Sequence, residues 1–124
     1  ENDSGTVHLR HAVREPDGWR TEAAGRHPLD DVVGFLGMAF DRFGRLHIAY
    51  HGREAAGFSI LEHAFLMPGG WMNEAIDPAE NSGFGASLAI DGSGALHALY
   101  LRSGPTTNEP RHAFLTGSAW NAET

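Results

Sequence analysis

The chain has 124 residues, 41% of them apolar, with no cysteine and a formal net charge of −7 at pH 7. That is enough apolar material for one ordinary domain, and without cysteine there is no disulfide scaffold, thiol catalysis or cysteine-ligated zinc. All nine basic residues are scattered arginines, which argues against nucleic acid and an anionic membrane surface, and no apolar run is long enough to span a membrane.

Sixteen glycines and six prolines imply many turns between short antiparallel strands. In chain order, the pattern predicts strands at Thr6–Val13 and Trp19–Ala23, then a polar loop from Gly25 to Asp31. Met38–Phe40 is short and apolar, as expected of a buried innermost strand. Asp41-x-x-Gly44 is a tight turn, the aspartate bonding the local backbone and the glycine supplying positive φ. Leu46–Tyr50 returns as a strand, and a longer polar connection from Gly52 to Phe58 leads to Ile60–Leu66. After a turn at Pro68-Gly69-Gly70, Trp71–Ile76 forms the last strand of this unit, and Asp77–Ser82 links it to the next.

These elements repeat. His-Ala followed by tryptophan eight positions after the histidine occurs at His11/Trp19, His63/Trp71 and His112/Trp120, spacing the tryptophans by 52 and 49 residues. A second element occurs twice with a shift of 50, linking Asp41, Gly44, His47 and Tyr50 to Asp91, Gly94, His97 and Tyr100. Four-stranded units recurring in tandem at this length are the signature of β-propeller blades. The expected fold is therefore all-β, built of blades of four antiparallel strands in an incomplete ring: a half blade at 1–33 and full blades at 34–82 and 83–124. An open arc leaves apolar faces uncovered. Further blades are thus expected, from the same precursor, a second chain or self-association; a fragment of a longer chain is the favoured origin.

The stretch Ser87-Leu-Ala-Ile-Asp-Gly-Ser-Gly-Ala-Leu-His-Ala-Leu-Tyr100, followed by Arg111-His-Ala-Phe and Trp120, resembles the blade repeat of bacterial sialidase-like and lectin-like β-propellers. The resemblance implies architecture more than activity, since such propellers host hydrolases, lectins and plain scaffolds. The residues leave the compartment unknown, with a secreted or periplasmic location slightly favoured.

Five histidines (His11, His47, His63, His97, His112) hold repeat-equivalent positions, as do Asp41 and Asp91, and Trp19, Trp71 and Trp120. A catalytic residue has no reason to recur in every blade, so these are read as structural, with histidine bonded to a turn aspartate. Tyr50 and Tyr100 are read as core or rim. His8 and His11 point to opposite faces of a strand and make a poor chelate; no metal and no cofactor is expected.

Function is sought where the repeats differ, in the loops. Arg53, Arg102, His27, Asp30, Asp31 and Glu80 are expected around one rim, with residue types suited to carboxylate or sugar recognition. The sequence thus points to a non-catalytic binding or scaffold propeller that recognises carbohydrate or protein through its loop face. The alternative is a piece of a sialidase-like glycoside hydrolase with its other catalytic residues on further blades.

Overall fold

The computed structural model describes residues 8–28, 36–53 and 57–124, with backbone alone at His27 and Pro28. Among the described residues there is no helix, only ten strands: β1 His8–Glu15, β2 Gly18–Pro28, β3 Leu36–Phe40, β4 Leu46–Arg53, β5 Ser59–Met67, β6 Gly70–Asp77, β7 Ser82–Ile90, β8 Leu96–Ser103, β9 Asn108–Thr116 and β10 Ala119–Glu123. All pairings are antiparallel between chain neighbours. They give a two-stranded sheet β1-β2 and two four-stranded meanders, β3-β4-β5-β6 and β7-β8-β9-β10.

Tight turns set this topology. Asp41 Oδ1 accepts the amides of Phe43 and Arg45, and Asp91 Oδ1 accepts those of Ser93 and Ala95, while Gly44 and Gly94 take φ of 76° and 90°. Each turn thereby returns the chain directly into the neighbouring strand.

The sheet β3–β6 lies in the middle. One face packs on β1–β2 through Leu46, Ile48, Tyr50 and Ala64 against Leu9 and Ala24. The other packs on β7–β10 through Ala49, Leu61 and Ile76 against Ala86, Ala98, Tyr100 and Ala113. Alternation along β4 assigns Ile48 and Tyr50 to the first face and His47 and Ala49 to the second. Ala49, Ala64, Ala98 and Ala113 are fully buried, and such small side chains allow close approach of the sheets. At Gly37 the approach is backbone to backbone: a Cβ there would lie 2.5 Å from the Leu88 nitrogen.

Met38 and Phe40, expected to be buried, are exposed, because among the described residues β1–β2 packs on β4, β5 and β6 rather than on β3. Strand boundaries differ most from the sequence pattern in three places. Gly25–Pro28, expected as loop, continues β2, because a register shift in the β1–β2 pairing brings Pro28 opposite His8. Gly52 and Arg53, expected to open a long connection, extend β4 by pairing with Ile60 and Ser59. Asp77 and Ser82 belong to β6 and β7, leaving a link of only Pro78–Asn81, with Asn81 at φ 61°.

Candidate functional site

Two arrangements concentrate chemistry. The first is a relay of carboxylates and imidazoles repeated from sheet to sheet. In β3–β6, Asp41 Oδ2 meets His47 Nε2 at 3.1 Å, His47 Nδ1 meets His63 Nε2 at 2.9 Å, and His63 Nδ1 meets Glu74 Oε1 at 2.9 Å. In β7–β10, Asp91, His97, His112 and Glu123 repeat it at 3.0, 2.9 and 2.9 Å. In β1–β2 its outer end is present as His11 and Glu22, 3.0 Å apart. The paired rings lie nearly parallel, 5.1 Å between centroids in both full relays.

The relays of the first two sheets also reach the next sheet. Trp71 Nε1 donates to Glu22 Oε1 at 2.9 Å, and Trp120 Nε1 donates to Glu74 Oε1 at 2.8 Å. The indoles stand edge-on to His11 and His63. Trp71 and Trp120 therefore sit between their own sheet and the preceding one. Trp19, at the same repeat position, is 67% exposed.

The electrostatics suit a structural relay. The Glu22 carboxyl is brought down to about 2, first by its bond to His11 and then by the Trp71 indole. At Asp41 burial pushes upward, but the Arg45 amide and the His47 imidazole more than offset it and hold the carboxyl well below its usual range. Asp91 is likewise held low, by Ser93 and then His97. In β3–β6 two neutral imidazoles bring two N–H donors to three contacts, so a proton on both His63 nitrogens would complete the row. At His63 burial outweighs that gain and lowers the imidazole from its ordinary value, Glu74 notwithstanding. In the full relays both nitrogens of each ring are engaged. Among the described residues no group of three or more His, Asp or Glu is arranged to hold a metal.

A second recurring device ties the sheets together with alternating polarity. The Tyr50 hydroxyl donates to Glu62 Oε2 at 2.5 Å, and Arg26, from the preceding sheet, reaches Glu62 Oε1 at 2.8 Å. One repeat later the Tyr100 hydroxyl donates to Asp77 Oδ2 at 2.6 Å, and Arg111 lies 3.2 Å from the same oxygen. Glu62 and Arg111 occupy equivalent positions, so acid and base are exchanged between the two interfaces. Burial pushes both tyrosines up, Tyr100 to about 12, with the Asp77 bond adding to it.

The second arrangement is the loop edge. Asn81 N donates to Ser59 O at 2.7 Å and Ser103 N to Asn81 O at 2.8 Å, which joins the β4–β5 end, the β6–β7 link and the β8–β9 end at one edge. This edge carries Arg53, opposite Ser59, together with Glu80 and Arg102. Arg102 Nε donates to the Glu80 carbonyl at 3.4 Å and its guanidinium lies 4.0 Å from Glu109. Glu80, Asn81, Arg102, Ser103, Gly104, Pro105 and Glu109 line a cleft of about 240 Å³. His27 lies at the end of β2, with its side chain outside the described set; Asp30 and Asp31 fall outside the described residues.

Sequence reading missed the relay glutamates and the tyrosine-bridged ion pairs. The glutamates carry a signal, each standing three residues after a repeat tryptophan: Trp19/Glu22, Trp71/Glu74, Trp120/Glu123. The ion pairs carry none, because their charge changes sign between repeats. No family model, curated protein or solved structure matches this chain.

Proposed function

We propose that the three sheets are consecutive blades of a β-propeller and that the chain is a non-catalytic binding scaffold, recognising carbohydrate or another protein through its loop edge. One observation carries this reading: the acid–base chemistry recurs from sheet to sheet and, at Glu22 and Glu74, joins one sheet to the next, whereas Arg53, Glu80 and Arg102, which do not recur, lie along one edge. Recurrence supports a structural role for the relay, since turnover would need it only once. At the edge, the exposed part of Arg102 offers planar N–H donors suited to a carboxylate or vicinal hydroxyls, and the Asn81 side chain and nearby carbonyls add neutral hydrogen-bonding groups.

The test is a glycan array followed by titration of the best hit against the wild type and Arg102→Ala. The reading expects saturable binding without hydrolysis, weakened at least about tenfold by the loss of one charge-assisted contact. Silence toward every glycan would leave protein as the ligand class, to be sought by cross-linking at the same edge. Turnover of a fluorogenic glycoside would overturn the non-catalytic reading. Binding of every ligand found, glycan or protein, that ignores Arg102, Glu80 and Arg53 would overturn recognition through the loop edge.

A further inference from the structure

The face of β7–β10 turned away from β3–β6 carries its relay in the open. His97 and His112 are about a third exposed, and Leu99 and Leu101 are 59% and 38% exposed. The same positions in β3–β6 are Ala49 and His51, buried under β7 at 0% and 3%. Glu123 holds the place of Glu22 and Glu74, each of which receives an indole N–H from the next sheet. Among the described residues Glu123 is met only by His112.

Residue sizes also change together across this face. Relative to β3–β6, Ser87 replaces Gly37, Leu99 replaces Ala49 and Pro110 replaces Leu61. Larger side chains at the inner strands and a smaller one at β9 describe a packing surface with its own spacing.

We propose that this face docks a further four-stranded sheet of the same repeat, with a tryptophan seated over Glu123 and an inner strand covering Leu99 and Leu101. The chain makes its other two sheet–sheet contacts in the same way, with an indole on a relay glutamate, an edge-on ring against histidine and small apolar residues between. An unrelated apolar partner would cover the leucines but would not place an N–H donor on Glu123. A two-stranded sheet such as β1–β2 would reach Glu123 but lacks the inner strand. The inference rests on the stacked-sheet reading and not on the loop-edge ligand, so the two fail separately.

The test appends a second copy of residues 76–124 directly after Thr124, which continues the 49-residue tryptophan spacing. The extended chain is expected to unfold in one cooperative transition at higher denaturant concentration than the original. Leu99→Glu or Glu123→Ala in the original repeat should remove that gain, while Leu99→Glu in the unextended chain should leave its stability unchanged, the side chain being exposed there. An added repeat that unfolds separately, or stays unfolded while residues 1–124 fold, overturns the proposal. So does a gain insensitive to both substitutions. Light scattering closes the remaining route: dimers of the unextended chain that Leu99→Glu dissolves and the added repeat does not would assign the face to a second copy instead.

Discussion

Gly37→Ala isolates the contact between the central sheet and its neighbour from every other effect. Gly37 is not among the glycines at positive φ, so its backbone accepts a side chain without strain. The new Cβ would stand 2.5 Å from the Leu88 nitrogen, 2.7 Å from the Ser87 carbonyl carbon and 2.9 Å from the Ser87 Cα. All three are backbone atoms, which cannot rotate away. Restoring an ordinary 3.4 Å separation requires β3 and β7 to part by about 0.9 Å, opening the layer that holds Ala49, Leu61 and Ala86. Overpacking typically costs about 1–3 kcal/mol, and a backbone obstacle belongs near 3. For a chain of this size that lowers the melting temperature by about 10 °C. Gly69→Ala is the control, since its Cβ would meet nothing within 4 Å and its φ is not positive; it should be neutral or slightly stabilising. Urea titration followed by circular dichroism reads both. A Gly37→Ala variant as stable as Gly69→Ala would refute the close packing of β3 on β7.

Three further outcomes are expected. Glu62→Arg buries an unmatched charge beside Arg26 and should cost about 3–5 kcal/mol, whereas adding Arg26→Glu reproduces the polarity of the Asp77–Arg111 pair and should recover at least half of it; additive losses in the double-mutant cycle would contradict the bridged pair. Trp120→Phe removes one donor from Glu74 and should cost about 1–1.5 kcal/mol, while Trp19→Phe should cost nothing, both read by urea midpoints. The midpoint should form a plateau between about pH 7 and pH 10. Below it, the unfolded chain protonates at 6.5 where folded His63 resists, and the carboxyls of Glu22, Asp41 and Asp91, held low when folded, lose their bonds as the pH falls further. Above it, Tyr50 and Tyr100 keep their protons when folded but lose them near 10.0 when unfolded, so stability declines as the pH rises toward about 12. A stability maximum below pH 6 would contradict these signs.

Much of the fold was legible because turns and spacing are local. Asp41-x-x-Gly44 and Asp91-x-x-Gly94 mark their turns directly, and repetition revealed the four-strand unit before any strand was placed. The histidine–aspartate bonds followed from the same periodicity. Strand ends were less legible: Gly52, Arg53 and Gly25–Pro28 are polar or turn-forming in composition, yet the pairing register carries them into β4 and β2. The tyrosine-bridged ion pairs were invisible, because Glu62 and Arg111 share a position but not a charge. The direction in which each tryptophan packs was equally hidden, being set by the sheet beyond rather than by the strand that bears it. At the loop edge, composition pointed to Arg53, Glu80 and Arg102, but only the backbone bonds through Asn81 bring them to one side.

The central claim, that successive sheets are locked by an indole on the preceding relay glutamate, is tested most directly by exchange of the three indole N–H protons, followed by ¹⁵N–¹H spectroscopy. The account predicts that Trp71 and Trp120 exchange slowly, each bonded to a glutamate and shielded between sheets, while Trp19 exchanges at the rate of a free side chain. Three indoles exchanging at one fast rate would contradict it, since the sheets would then not be stacked through their tryptophans.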